Sequence, residues 1–509
     1  MRLAMLRTFG LLLVLFSAAC SSLSDNATDV PTDEATTPAQ VGVPEATTSP
    51  APIEPTSTPI DNPAPIAPIA TSIPPPAPIQ SSPTSPAEPT SAAPLESSAT
   101  ATALVASPTA TMPPPGSSLR IEQWGYSQAE AYAEVSWGFL ISNQDRTNAM
   151  FDTAYVLTFL NETGETVKVD EGYIDVLLPG VEIGVGGSTF LAEGAIARSM
   201  RVDVRPGRLE PLSITPTIAV DDVAYFERSQ FPIATGAISA DFDLPLLDLR
   251  VYAVGFGRDG EIIGGGNTYL PFVSPDDPVG VEVSISSVGQ PSRIELYPVI
   301  TASTIHADTL AREGDESSAV AVVDQGWSVV AGSGEIGWGF ILHNESDDLA
   351  VEPVLYQVTA WSADGTVLAT NASYLAVLLP DEELGVGGSF FAPEGEKPAR
   401  VDVQALGRSV APIEVEAGVL ATSEVRYVPD SFTPRVAGQV TNNLDLDLDS
   451  VAVFAIAYDA NDAIIGGGLA YVDSVPAQGA APVEVALAVG SEPKRVVLFA
   501  TVSSASQLP

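Results

Sequence analysis

The chain carries a copy of itself. GFLISN from Gly138 recurs as GFILHN from Gly339, and VLLPGVEIGVGGSTF from Val176 as VLLPDEELGVGGSFF from Val377, both at a spacing of 201 residues. RVDV from Arg201 returns at Arg400, 199 residues on, and EIIGGGNTYL from Glu261 returns as AIIGGGLAYV from Ala463, 202 residues on. A long constant period of this kind marks a folded unit reproduced whole, and it limits the architecture to two equivalent halves. The region from about Ser118 to Ser303 reappears as about Ala319 to Ser504, joined by the polar stretch STIHADTLAREGDES around His306.

Each half reads as two related modules. In the first, GFLISN is followed by the alternating AYVLTFL, a turn NETGE, the strand-like GYIDVLL, a Pro-Gly turn and a further strand. The second, GAISADFDLPLLDLRVYAVGFGRDGEIIGGGNTYLPF, keeps the order of strand, polar turn, long strand, Asp-Gly turn and strand. Short alternating runs punctuated every eight to twelve residues by Gly, Asp, Asn and Pro predict an all-β sandwich, and no long 3.6-period amphipathic segment competes. The expected modules span 118–215, 216–305, 319–415 and 416–505. In the fourth, Phe454, Ile456 and Tyr458 alternate with Ala455 and Ala457; in the second, Tyr252, Val254 and Phe256 alternate with Ala253 and Gly255. Period 2 puts each set on its own face. The expectation is that the large set fills the sandwich core and the small set lets a neighbouring layer approach.

Ahead of the duplicated region the composition changes. Of the 44 prolines in the 509 residues, 22 lie between Pro31 and Pro115, and the 95 residues from Ser21 hold one glycine and no Phe, Trp, Tyr, Lys or Arg. Such a segment has almost nothing to bury, and proline disfavours both helix and sheet. Residues 21–117 are expected to be a disordered Pro/Thr/Ser/Ala-rich stalk. In polyproline II form it would reach at most about 290 Å. Its Ser and Thr residues suit O-glycosylation, and a bare linker is the alternative.

Charge and cysteine usage exclude several function classes. Sixty-four acidic residues against 21 basic ones give a formal charge of −43, and only Lys168, Lys397 and Lys494 are lysine. Nucleic-acid affinity requires clustered Lys and Arg, so no nucleic-acid partner is expected, and an anionic membrane surface repels the body of the protein. The single cysteine, Cys20, forbids an intramolecular disulfide, and with only His306 and His343 a Cys/His zinc site is excluded. No cofactor is implied.

Two resemblances follow from particular residues. The run VTNNLDLDLDSVAVFAIAYDANDAIIGGG resembles the FxLYD-type bacterial module, through Gly438, Val440, Asn442, Phe454, Tyr458 and Asp459. In the second module Phe256-Gly257 replaces Tyr-Asp, and the first and third modules follow only the general plan. The resemblance implies four tandem immunoglobulin-like β-sandwich modules arranged as a duplicated pair and a surface location, with no catalytic residues to transfer. At the other end, Arg2 and Arg7 precede the apolar FGLLLVLF, too short to span a bilayer, and Ser17-Ala18-Ala19-Cys20 follows. The stretch FSAAC resembles the lipobox of bacterial lipoproteins, with Ser17 where that family usually has leucine. The resemblance implies that residues 1–20 are a lipoprotein signal peptide and that Cys20 is lipidated; a plain secretory signal with an incidental cysteine is the alternative. Several acyl chains hold a protein on a bilayer far longer than one.

The remaining candidates are few. Trp137 and Trp338, equivalent in W-G-F, are read as core residues, as are the equivalent Leu160 and Trp361. Trp124 and Trp327 are candidate ligand-binding residues that could stack on a sugar ring. Asp445, Asp447 and Asp449 alternate with leucines, so three carboxylates share one face. They are candidate calcium ligands, but the related module keeps Asp243 and has Pro245 and Leu247, which favours a solvated acidic edge that blocks aggregation. The runs GVGGS and GGG lack the Lys-Ser/Thr and the strand-to-helix context of a phosphate loop, and are read as marking bulges, bends or close backbone approach. No Ser-His-Asp or Cys-His arrangement can be assembled. The sequence thus points to a non-enzymatic surface lipoprotein, anchored in the membrane at Cys20 and lying outside the cytoplasm, whose modules meet an extracellular protein or scaffold other components. A carbohydrate-binding array recognising envelope or extracellular glycans is the alternative.

Overall fold

The computed structural model describes residues 118–508 apart from short stretches at 129–132, 213–215, 229–231, 276, 288, 302–303, 305–319 and 431–432. Cys20, the Pro-rich stretch and most of the segment around His306 lie outside the described residues.

The described residues fold into four antiparallel β-sandwiches built around the same pair of three-stranded sheets, to which short strands are added: one each in the first, second and fourth modules, and in the third a separate pair, Leu349–Val351 with Val410–Pro412. In the first module Leu119–Gln128, Glu134–Asn143 and Glu182–Phe190 form one sheet, with the second strand central. Thr166–Leu177, Ala149–Leu160 and Ser199–Arg205 form the other, with Ala149–Leu160 central and Arg208–Glu210 added beside it. Numbered within the module, the orders are 1-2-5 and 4-3-6. They recur in the second module, where Ile233–Asp241 and Leu246–Phe256 are the central strands, and in the third and fourth, where Glu335–Asn344, Val354–Trp361, Arg435–Asn442 and Leu448–Tyr458 take these places. This is the all-β, duplicated-pair architecture of immunoglobulin-like sandwiches, in which strands from both sheets close one core.

Three modules share a buried asparagine at the end of the central strand, Asn143, Asn344 and Asn442. Asn442 ends its strand fully buried; its amide donates to Leu446 O at 2.7 Å and Val475 O at 3.2 Å, while its Oδ1 accepts from Leu444 N. Asn143 and Asn344 do the same work, Asn344 donating to Leu349 O, Leu378 O and Leu379 O. A side-chain amide can serve carbonyls on both sheets at once, so it fixes the crossover where the ladder ends. The second module has Ala240 at the equivalent place. In the Tyr-Asp pair, Asp459 closes the next hairpin by accepting from Asn461 N and Ala463 N.

The assignment of the two strand faces has to be reversed. Val451, Val453, Ala455 and Ala457 lie in the fourth module's own core, with Val436, Val440, Val483 and Val485. Phe454 instead enters the core of the third module beside Trp338 and Phe340, and Ile456 and Tyr458 pack on Ile341. In the first half Ala253 and Val251 face inward, Tyr252 joins the first module's core, and Val254 and Phe256 meet Leu140. The reason is what each face meets. The module's own core is filled by valines from its opposite sheet, while the glycines of the neighbouring module's strand let that module come close enough to receive the large side chains.

The modules therefore stack rather than hang as beads, and all four belong to one compact unit. Between the halves, Trp361 is buried against Ala237 of the second module and Val367 of its own, so it seals a module boundary and does not fill the third module's interior as expected. Leu160, its equivalent, is half-buried. Leu247 and Phe272 meet Leu355 and Leu406 across the same boundary. Thr235 donates to Val367 O at 2.7 Å, Gln357 to Gly280 O, and Arg408 pairs with Asp248 at 3.2 Å.

Candidate functional site

The glycine motifs mark the seams inside each half. A methyl group on Gly186 would stand 2.2 Å from Ala253 O and 2.9 Å from Gly266 N; one on Gly265 would stand 2.7 Å from both Gly186 Cα and Trp137 O. The second half repeats this: a methyl on Gly387 meets Ala455 O at 2.6 Å, and one on Gly467 meets Gly387 Cα at 2.8 Å. Backbone lies directly on backbone, which only residues without Cβ permit. In the first half Ser136 stitches the seam, accepting from Gly265 N at 2.9 Å and donating to its carbonyl at 3.2 Å. Gly187 and Gly388 serve the interior, lying over Trp137 and Trp338, whose rings are 4% and 3% exposed.

Where the seam of the second half reaches the surface it opens into a cleft of about 450 Å³. The free edges of two sheets supply its walls: Gly387-Gly388-Ser389 on one side and Asn371-Ala372-Ser373 on the other, with Trp338 and Tyr356 behind them and Leu469 opposite. Glu335 is the single charged residue in the lining. Burial pushes the Tyr356 hydroxyl up to about 12, with a hydrogen bond to Ser373 acting in the opposite direction, so it stays neutral at physiological pH. The lining holds aromatic, amide and hydroxyl groups and no Lys, Arg or His. It suits an uncharged ligand with hydrogen-bonding groups, and the volume falls in the range of small-molecule sites.

The first half treats the same place differently. Asn267, where the second half has Leu469, donates to Gly186 O at 3.2 Å and accepts from Arg250 Nη2 at 3.2 Å. The Arg250 guanidinium lies over Tyr252 at 5.2 Å and Tyr269 at 4.9 Å; the equivalents of Arg250 and Tyr252 are Ala452 and Phe454. Burial raises the Tyr252 hydroxyl well above its ordinary range, and Asp175 beside this cluster is raised by burial with Arg250 opposing. The copies thus diverge where one seam is filled by charge and the other is open. Pattern reading missed the cleft because its residues come from separate strands and none belongs to a motif with chemistry of its own.

The residues singled out from sequence do not converge there. Trp124 and Trp327 are both half-buried against their module cores, and they are not equivalent: Trp327 pairs across the ladder with Trp338, whereas the residue opposite Trp137 is Tyr126, and Trp124 faces Phe139. Gln325 holds the position of Trp124 in the second half and accepts from Val403 N. Asp445 and Asp447 lie in the bend before the strand rather than on its face; they accept from Gln478 Nε2 and Ala477 N, which ties the bend to the next turn. Asp449 alone stands on the strand Leu448–Tyr458. Among the described residues no group of three or more His, Cys, Asp or Glu is placed to hold a metal ion.

No protein-family model matches the chain, and no curated protein matches it. Among solved structures it is similar to bacterial alpha-2-macroglobulins. A mutant Salmonella protein shares 10% identity over 76% of this chain and 38% of that one, at a TM-score of 0.12. The trypsin-activated Escherichia coli protein shares 10% identity over 75% of this chain and 42% of its own, at 0.12. The chain spans about two fifths of the length of those proteins, and at that score the superposition carries no argument about activity.

Proposed function

We propose that this protein is a non-enzymatic surface lipoprotein: Cys20 carries the lipid anchor, residues 21–117 act as a spacer, and four β-sandwich modules outside the cytoplasm present one interaction or scaffolding surface. The observation that supports a scaffold is the set of buried seams, Gly186 on Gly265, Ala237 on Trp361 and Gly387 on Gly467, which fix each module on the next. Modules held in this way offer a partner a surface with its entropy of ordering already lost. The test is mass spectrometry of the amino-terminal peptide together with membrane fractionation of the wild type and Cys20→Ser. A diacylated Cys20 and release of the variant are expected; an unmodified cysteine in a membrane-free wild type refutes the reading.

The alternative, recognition of an uncharged glycan, draws on the cleft and not on Trp124 or Trp327. Ala452→Arg with Leu469→Asn installs the filling of the first half, and any glycan captured on an array by the wild type is expected to be lost. Equal capture by both forms removes the cleft from consideration.

A further inference from the structure

The two halves differ along one side of their leading sandwich, where two sheet edges lie next to each other. Among the described residues, Thr166–Leu177 and Glu182–Phe190 in the first half, and Val367–Leu375 and Glu383–Phe391 in the second, each pair with one neighbour and leave their other edge open. An open edge presents unpaired N–H and C=O groups to any extended chain, and proteins ordinarily blunt it with charge or cover it.

The first half does both. Its edge strand TVKVDEGYIDVL carries Lys168, Asp170, Glu171 and Asp175. The strand Ile262–Val273 crosses the companion sheet, since methyl groups on Gly125, Gly138 and Gly186 would meet Ile262, Gly264 and Gly266 in turn. The next residue, Asn267, stands past the edge and donates its amide to Gly186 O at 3.2 Å, with Arg250 bonded to it. A side-chain amide thus takes the place that a peptide N–H of an added strand would take.

The second half does neither. Its edge strand VLATNASYL is uncharged, with Asn371 and Ala372 where the first half has Asp170 and Glu171. The strand Ile464–Val475 makes the same crossing, with Gly326 on Ile464, Gly339 on Gly466 and Gly387 on Gly468, and then places Leu469 past the edge. Leu469 has nothing to donate, so the Gly387 carbonyl lacks that donor on the wall of the cleft of about 450 Å³.

We propose that this cleft takes an extended, uncharged polypeptide segment of a partner protein, which adds as a strand beside Gly387-Gly388-Ser389 and donates a main-chain N–H to Gly387 O. Three residues on that wall correspond to about 10 Å of strand. The glycines, Ala372 and Ser373 leave room for small side chains, and Glu335, the single charge in the lining, gives a run of charges no set of partners. Main-chain pairing supplies affinity in this mode and the flanking walls supply selection. Asn267 and Arg250 close the first half to the same ligand, which leaves one such site in the duplicated body. The inference is independent of the lipid anchor, and it gives the cleft a polypeptide in place of a glycan.

The test pans the full chain against bead-displayed peptides of about seven residues drawn from Gly, Ala, Ser, Thr and Val, long enough to pass the wall on both sides. Enriched sequences are then made free, capped at both ends and titrated. Saturating peptide is expected to slow amide exchange in Glu383–Phe391 at least tenfold and to leave Glu182–Phe190 unchanged. Alternate residues of a strand face a given neighbour, so N-methylation is expected to weaken binding at least tenfold in one register of the peptide and little in the other. Ala452→Arg with Leu469→Asn installs the plug of the first half and is expected to abolish capture. Should that variant misfold, Asn371→Asp with Ala372→Glu puts the first half's charges on the open edge and is expected to weaken capture at least tenfold. The proposal is overturned by a library that yields no peptide, by equal protection of both halves, by equal loss in the two N-methyl registers, or by capture that survives in a folded variant. A protein that captures glycans at the cleft but no peptide also overturns it while leaving the glycan reading standing.

Discussion

Replacing Gly186 by alanine tests the seam on which the stacking of modules depends. The added methyl stands 2.2 Å from Ala253 O, whereas ordinary contact begins near 3.4 Å, so the two sheets must part by more than an ångström. Main-chain atoms form both sides, and neither can rotate away as a side chain would. Overpacking of a tight interior costs about 1–3 kcal/mol, and the backbone contact places this case near 3. For a cooperative unit the size of one half, that lowers Tm by roughly 6–12 °C. Gly255→Ala is the control, since its methyl has Pro291 Cβ as nearest neighbour at 3.5 Å and should shift stability by less than about 1 kcal/mol. Calorimetry of both variants, with amide exchange followed in Glu182–Phe190 and Ile262–Val273, reads the difference. Should Gly186→Ala melt with Gly255→Ala, the glycines are not what brings the modules together and the argument from close approach is wrong.

Three other expectations follow from single residues. Asn442→Ala leaves two carbonyls and one amide of the crossover without their partner and is expected to cost about 2–3 kcal/mol in denaturant unfolding; a loss under 1 kcal/mol would mean water replaces the side chain. Burial raises the Glu382 carboxyl to about 7, with the hydrogen bond from Leu379 N opposing, so the folded state binds the proton more tightly than the unfolded one. Stability is then greatest below the unfolded value and falls as pH rises from about 4.5 through about 7, by at most ~3 kcal/mol from this group, and Glu382→Gln should flatten that slope. Trp361→Ala empties the boundary between the halves and should cost about 3–5 kcal/mol, splitting one calorimetric transition into two; a single unshifted transition would show that the halves do not depend on this contact.

Local signals carried far in this chain because strands and turns are written locally. Alternation located the long strands, and Asp459 and the Asp-Gly pairs located their hairpins, whereas the role of Asn442 was seen only in its hydrogen bonds. The glycine runs were legible as structural, as bulges, bends or close approach, and only the contacts of Gly186 and Gly387 single out close approach. The assignment of faces failed for an instructive reason. Alternation separates two sets of side chains, but in a stack both faces are buried, and the pattern alone does not say which one looks inward. The same limit hid that Trp361 is buried at a module boundary and meets Ala237 of the second module.

By itself, then, the sequence determined the class of fold, the duplication and the position of the cysteine, because periodicity, repetition and residue chemistry are properties of a line. Tertiary structure alone decided that Phe454 belongs to its neighbour's core and that Arg250 and Asn267 fill one seam while the other stays open. Each of these depends on what stands opposite a residue across a gap, and that is settled only when separate strands are brought face to face.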